Sequence, residues 1–405
     1  MKMTAKNSKK TAAIIAEYNP FHNGHQLHIA RTREHCGAEH IVVIMSGNYV
    51  QRGDCAIADK FTRTRMALAG GADLVLELPL PFACGGAETF ATGGVGIADA
   101  LGCVDYLSFG MECGSVGTLT DAADAVSDET IKPELDRLLS AGKSFAAART
   151  EAVRRVYGDD IAEMICLPNN TLAVEYIRAI KRLHSDMEPI GILREGAMHD
   201  SEQISEDIAS ATAVRRMIAD GKLTEAERYL PRQAFQAFAL LEKEGKLPAD
   251  LKRCERAVLS RLRSMTREQL GRLPDISEGL ENRIYECARS ACSLDELYDS
   301  IKTKRYSHAR IRRIILSAFL GIRREHSERL GYIRILGMNE KGKKLLSAAK
   351  PRLPLISSYK QTNALPQEAR NQYLLECHAD DLWGLMTPVM LPCGMDMTSK
   401  LIVMQ

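Results

Sequence analysis

The sequence has no C-x-x-C pair, no apolar run of 18 residues and no excess of one charge sign. Its eleven cysteines are scattered without the paired spacing that a zinc site requires, which excludes zinc ribbons and fingers. Scattered thiols suit a reducing compartment, and the expected location is the cytoplasm. Without a long apolar run there is no helical membrane span to expect. The short apolar stretch from Thr11 to Ala16, after the basic opening, runs straight into Glu17 and is no signal-peptide core. With 54 Lys+Arg against 52 Asp+Glu, any nucleic acid must be met by a local patch rather than by overall charge.

What is present is a globular chain. Its 405 residues, 45% hydrophobic and 26% charged, are enough for two or three domains with buried cores. Short β-branched runs alternate with helix-length segments over the first 110 residues, the pattern of a parallel α/β sheet. Strands are expected at Ala12 to Glu17, Ile41 to Met45, Asp73 to Leu78 and Val104 to Phe109, with helices at Ile57 to Ala69 and Ala87 to Leu101. From Gly117 the texture is helical, and Pro189 to Leu193 reads as the last strand of the sheet, with Ser210 to Ala219 as its return helix. This gives an α/β, Rossmann-like domain over 1–221. Leu and Arg at helical spacing then predict a separate helical domain over 222–330, followed by a small mixed region over 331–405.

The segment IIAEYNPFHNGHQLHI, Ile14 to Ile29, ends the first strand, opens a helix and sets His22, Gly24 and His25 in the pattern H-x-G-H. A helix N-terminus at the carboxyl end of a sheet offers unpaired N–H groups and a positive dipole, an anion site suited to phosphate. Gly24 lets backbone approach closely. Two imidazoles there donate to phosphate oxygens, stabilising charge that builds up during in-line displacement at phosphorus. An ordinary N-terminal turn is the plain alternative, and the strand before and helix after it weigh against that.

Further blocks accompany this segment: SGNYVQRGDCAIADKFTRTRMALAGGADLVLELPLPFACGGAETFATGGV at Ser46 to Val95, SFGME at Ser108 to Glu112, LPNNTLAVEYI at Leu167 to Ile177, LREGAMHD at Leu193 to Asp200, IASATAVRR at Ile208 to Arg216, and KRYSHARIRRI at Lys304 to Ile314. In this order, over nearly the whole chain, they resemble the tRNA(Met) cytidine acetate ligase family, a branch of the HIGH nucleotidyltransferase superfamily. The resemblance implies a nucleotidyltransferase domain that uses ATP to activate acetate as acetyl-adenylate. The acetyl group then passes to N4 of the wobble cytidine of elongator tRNA(Met).

Carried over residue by residue, the resemblance makes His22 and His25 catalytic. It places Ile15, Glu17, Tyr18, Asn19, Pro20, Phe21, Asn23, Gly24 and His28 in the ATP cradle, with Gly110 against the nucleotide and Asn169 or Asn170 as a further contact. One of the two asparagines is also expected to cap the helix that follows Pro168. Arg194, at the carboxyl end of the last strand, reaches the crevice. Ser210 and Thr212 resemble the second signature of the superfamily, with Arg215 or Arg216 as the basic partner, although Ala211 interrupts the usual pair of hydroxyl residues. Gln51, Arg52 and Lys60 are placed to meet a carboxylate or tRNA backbone, and Glu77 is expected to pair structurally. No spacing supports an activated cysteine.

Residues Lys302 to Arg324 include Lys304, Arg305, Arg310, Arg312 and Arg313 and no acidic residue, so they form the candidate tRNA patch, with Tyr306 and His308 available for stacking. Magnesium is expected on the triphosphate, with no protein metal cage. The oligomeric state is left open. Two other readings stand beside this one: a small-molecule adenylyltransferase, for which the basic helical half has no use, and a noncatalytic RNA-binding scaffold, against which the intact His22, Gly24 and His25 argue.

Overall fold

A computed structural model describes residues 10–194, 209–277 and 279–405. Residues 195–200 of the LREGAMHD block and Ile208 of the second signature lie outside the described residues. The strands are β1 (Thr11–Ala16), β2 (His40–Ser46), the hairpin β3 (Tyr49–Val50) with β4 (Asp54–Cys55), β5 (Leu74–Leu78), β6 (Tyr106–Met111), β7 (Glu188–Leu193), β8 (Ile333–Met338), β9 (Leu355–Ile356) and β10 (Ile402–Val403). All but the hairpin form one sheet in the order β10, β8, β5, β2, β1, β6, β7, with β9 paired to β8. Every pairing in it is parallel except β5 with β8. β2 and β5 are buried at every position, as strands covered on both faces must be.

Chain order places β1 between β2 and β6, so the direction of winding reverses there and a crevice opens at the carboxyl ends of β1 and β6. One face is covered by α4 (Ala87–Leu101) and α9 (Pro168–Arg182), which pack on each other together with α5 (Val116–Ser127), α6 (Lys132–Ser140), α7 (Phe145–Tyr157) and α8 (Asp159–Met164). The other face carries α1 (Asn23–Cys36), α2 (Lys60–Ala69) and α10 (Ala211–Ala219). Between α2 and α4 lies the single turn α3 (Leu80–Ala83). Helix α4 lies directly on β1: a Cβ on Gly94 would stand 2.5 Å from Ile15 Cδ1. No described helix is long and apolar enough to cross a membrane.

The α/β class and the five expected strands are found, with shifted ends. β6 runs to Met111, so Gly110 lies inside the strand, paired with Ile192, rather than closing it. Helix α2 starts at Lys60 because Asp59 accepts the Thr62 N–H at 2.8 Å as its cap. Two expectations about larger units are corrected. Residues 331–405 are not a region apart, since β8, β9 and β10 extend the sheet beyond β5. Residues from Leu223 to Leu247 bury against the α1 and α2 side of the sheet, and the helical core begins near Ala249, sharing Tyr49 and Leu80 with the first region and Trp383 with the last. Both corrections concern contacts between distant segments, which local periodicity does not specify.

A buried ion cluster fastens these parts together. Lys60 Nζ lies 2.5 Å from Glu77 Oε1, 2.7 Å from Asp380 Oδ2 and 3.2 Å from Asp396 Oδ2, all with side chains at most 2% exposed. Arg334 on β8 donates to Asp396 Oδ2 at 2.8 Å and sits 3.4 Å from Glu77 Oε2. Lys60 is therefore no substrate or tRNA ligand, whereas Glu77 pairs structurally as expected. Burial opposes the charge on Lys60, and Asp380, Asp396 and Glu77 overcome it, holding the ammonium protonated. Substituting Lys60→Met is expected to lower stability by about 3–5 kcal/mol, because it leaves buried carboxylates short of a partner. A urea unfolding series that shows less than about 1 kcal/mol of loss would remove this cluster from the account.

Candidate active site

The turn from β1 into α1 builds the centre of the crevice. Tyr18 takes a positive φ of 48°, unusual for a bulky residue, and is held there by burial and by an edge-on contact with Phe21 at 4.8 Å. Asn19 Oδ1 accepts the Ile57 N–H at 3.0 Å, pinning the turn to the chain ahead of α2. His22 then caps α1: its Nδ1 accepts the Gly24 N–H at 3.1 Å, and the Nδ1 of His25 accepts the His22 N–H at 3.3 Å. The two rings stack at 3.8 Å.

This reciprocal cap decides the chemistry of both imidazoles. With each Nδ1 acting as acceptor, the proton of each neutral ring sits on Nε2. Burial, then Arg194 and Arg215, pushes His22 down to about 3, and burial with His22 beside it takes His25 well below the usual range. Burial and Arg194 lower His28 to about 4; its Nε2 is 3.0 Å from Ser108 Oγ, which in turn meets Thr32 Oγ1 at 2.6 Å. His22 and His25 are thus neutral N–H donors at the positive end of a 14-residue helix with no acidic residue in its first turn.

A second helix start converges on the same cleft. Ser210 caps α10 by accepting the Ala213 N–H at 3.1 Å, while Thr212 Oγ1 receives Arg215 Nη2 at 3.0 Å and Arg52 Nη1 at 3.5 Å. Arg215 also donates to Asn19 O at 2.6 Å and lines the cleft; Arg216 does not line it. On the third side, Arg194 donates to Asn169 Oδ1 at 3.0 Å, and a Cβ on Gly110 would press on the Arg194 stem at 3.3 Å. The expected asparagine cap of α9 is not made: Leu167 holds the cap position without a side-chain bond, and the Asn169 N–H is taken by Glu112 Oε2 at 3.1 Å. Asn170 is fully buried, its Oδ1 accepting the Glu112 N–H at 3.0 Å.

Of the residues expected in the cradle, Ile15, Glu17, Tyr18, Asn19, His22, Gly24, His25, His28, Gly110, Asn169, Arg194, Ser210 and Thr212 line this one cleft. Pro20, Phe21, Asn23 and Asn170 do not line it. Phe21 is core, and Asn23 Nδ2 turns to Arg228 O at 2.9 Å. The sequence reading missed Arg31, one helical turn beyond His28, and an apolar wall of Phe90, Phe109, Leu172 and Tyr176. Arg31 was legible from its i,i+3 spacing to His28; the wall depends on α4 and α9 meeting over β1.

The basic segment is partly spent on the fold. Arg305 donates to Leu139 O at 2.9 Å, Arg310 to Asp275 O at 2.7 Å, and Arg313 pairs with Asp275 Oδ2 at 3.1 Å. Lys304 and Arg312 are exposed, while Tyr306 is buried and unavailable for stacking. The turn of the β3–β4 hairpin rests on this helix, since a Cβ on Gly53 would meet the Arg312 backbone at 2.6 Å, and the neighbouring Arg52 lines the cleft.

A parallel sheet with imidazole donors at a helix start over its switch point defines a nucleotidyltransferase, and the family model described as HIGH Nucleotidyl Transferase matches residues 9–392. A protein of Acetivibrio thermocellus named tRNA(Met) cytidine acetate ligase is 36% identical over 414 residues, covering 98% of this chain and 100% of the relative. One of the same name from a Thermoanaerobacter species is 38% identical, covering 86% and 89%. Crystal structures of Thermotoga maritima TmcAL are similar, apo with a TM-score of 0.93 at 31% identity and bound with alpha-thio ATP with 0.91 at 30%, each covering 98% of this chain and 99% and 100% of the other. The chain belongs to the tRNA(Met) cytidine acetate ligase family of HIGH nucleotidyltransferases.

The lowered histidines make stability depend on pH. Unfolded histidines take up protons near pH 6.5, whereas His28 and His22 do so only near 4 and 3 when folded. Their contribution is therefore complete above pH 6.5 and is lost as the pH falls below it, by up to about 1.4 kcal/mol per pH unit for each group. Between pH 6.5 and 5, substituting His22→Asn is expected to reduce the slope of stability against pH by about one proton. An unchanged slope in urea titrations would contradict the buried, neutral state of His22.

Proposed function

We propose that this chain is an ATP-dependent ligase that activates acetate as acetyl-adenylate and transfers the acetyl group to N4 of the wobble cytidine of elongator tRNA(Met), forming N4-acetylcytidine. The observation that carries this reading is the pair of stacked imidazoles at the start of α1, each with Nδ1 committed to a backbone N–H. Their Nε2–H groups and the positive end of the α1 dipole stabilise the triphosphate as charge grows during displacement at the α-phosphorus. Thr212 and Arg215 hold the outgoing pyrophosphate from the α10 side. Gly110, Asn169 and Arg194 flank the adenosine, with Asn169 rather than the buried Asn170 reaching it.

The acetate carboxylate attacks the α-phosphorus, pyrophosphate leaves, and the mixed anhydride stays in the cleft. Magnesium, when bound with the triphosphate, would neutralise part of its charge. Among the described residues no group of three or more His, Cys, Asp or Glu is placed to hold a metal ion. We assign these steps to the sheet unit and tRNA binding to the helices from Ala249 onward, where Lys304 and Arg312 are exposed and Arg52 continues the cationic surface to the cleft. Scattered free thiols fit action in the cytoplasm.

The test is incubation with ATP, magnesium, isotope-labelled acetate and tRNA lacking the modification, followed by digestion and mass analysis of nucleosides. ATP-dependent labelled N4-acetylcytidine is expected; its absence beside normal acetate-dependent ATP–pyrophosphate exchange would shift the acceptor to another molecule. Substituting His25→Ala is expected to slow that exchange by about 10²–10³-fold, and exchange at the wild-type rate would remove His25 from the chemistry. The double substitution Lys304→Ala with Arg312→Ala is expected to weaken tRNA binding and to lower its salt slope by about one unit per lost phosphate contact. An unchanged slope, measured by filter binding, would place the RNA elsewhere.

A further inference from the structure

Among the described residues lining the cleft, Glu17 is the sole carboxylate, in company with Arg31, Arg52, Arg194 and Arg215. It follows β1 directly, two residues from Ile15, whose side chain packs on Gly94 of α4. Strand alternation thus directs Glu17 to the α4 and α9 face, away from the α1 face that carries the imidazoles. It is fixed there: Glu17 Oε1 accepts the Gln51 N–H at 2.9 Å, and its backbone oxygen accepts from the fully buried Arg63 at 2.7 Å. No described residue bonds to Oε2. Tyr176, which lines the same wall and is 5% exposed, makes no hydrogen bond among the described residues. Its ring lies 6.0 Å from that of Phe109. Burial, with Glu17 nearby, raises the phenol and keeps it a donor.

A fixed carboxylate repels a triphosphate and a substrate carboxylate alike, so its complement is a hydrogen-bond donor. Lining the same cleft is a phenol donor, on a wall made apolar by Phe90, Phe109 and Leu172. An amine next to a ring nitrogen on a flat base matches that pair. Cytosine presents this edge, N4–H₂ beside N3; adenine presents a similar one, but the adenosine is assigned to Gly110 on β6 and to Asn169 at the start of α9, about two helical turns before Tyr176.

We propose that Glu17 receives the exocyclic amine of the acceptor cytosine and takes its proton during acetyl transfer, with Tyr176 donating to the adjacent ring nitrogen. This rests on the ligase reading above, and it moves Glu17 from the ATP cradle to the second substrate. The amine nitrogen attacks the acetyl carbonyl carbon, the C–N bond forms, and the C–O bond to AMP breaks. AMP leaves with the electron pair, and the proton passes from nitrogen to Glu17 Oε2 and then to water.

The test uses the full chain with ATP, magnesium, acetate and unmodified tRNA, comparing wild type with Glu17→Gln, Glu17→Asp and Tyr176→Phe. Glutamine keeps an oxygen for the Gln51 N–H and cannot take the proton. In Glu17→Gln, single-turnover acetyl transfer is expected to fall by about 10²–10³-fold, far more than acetate-dependent ATP–pyrophosphate exchange. The acidic limb of the transfer rate against pH is expected to vanish in this variant, and Glu17→Asp to regain about tenfold over it. Tyr176→Phe is expected to raise KM for tRNA with the exchange KM for ATP unchanged. Transfer at the wild-type rate in Glu17→Gln overturns the proposal, as does joint loss of exchange and transfer with a raised KM for ATP, which makes Glu17 an ATP or magnesium ligand. A wild-type chain without acetate-dependent exchange overturns the ligase reading and this proposal with it.

Discussion

Each of the two imidazoles at the start of α1 accepts a backbone N–H through Nδ1, and the rest of the site depends on that exchange of bonds. It satisfies two of the donors that a helix start leaves unpaired, so the cap contributes to stability in the ordinary way. It also fixes the tautomer of both rings, turning a pair of residues that titrate near neutrality into donors of constant charge. The stacked geometry at 3.8 Å is tolerable because both rings are neutral; two imidazolium ions at that distance would repel strongly.

The sheet supplies the place for this cap. Reversal of the winding at β1 opens a crevice into which α1, α10 and the ends of β6 and β7 all point. Gly94 lets α4 lie on Ile15, and that close approach is what brings Phe90 and Tyr176 to the opposite wall. The ion cluster of Lys60, Glu77, Arg334, Asp380 and Asp396 does the equivalent work at a distance, tying α2 and β5 to β8 and to the C-terminal helices. A buried cluster of this kind is costly to break and specifies one arrangement of the parts it joins.

Local order made much of this legible in the sequence. β1, β2, β5, β6 and β7 read as short apolar runs, and H-x-G-H at a strand-to-helix junction named the centre of the cleft. What failed was whatever depends on a partner far along the chain. Nothing in IRILGM, residues 333–338, says that it pairs antiparallel to β5 some 260 residues earlier. Lys60 reads as a solvated cation until Asp380 and Asp396 are brought to it. A cap of α9 by Asn169 or Asn170 was a sound local inference that Glu112, just after β6, displaces. Arg305, Arg310 and Arg313 look identical to exposed arginines in sequence, and only their carbonyl and carboxylate partners separate them from Lys304 and Arg312.

The claim on which the account turns is that His22 and His25 are neutral rings protonated at Nε2, and ¹⁵N NMR of the imidazoles in the free protein at neutral pH measures it directly. Both residues are expected to show a protonated Nε2 and an unprotonated, hydrogen-bonded Nδ1, with the Nε2 signals moving when ATP is added. A proton on Nδ1 of either ring, or an imidazolium at neutral pH, would contradict it.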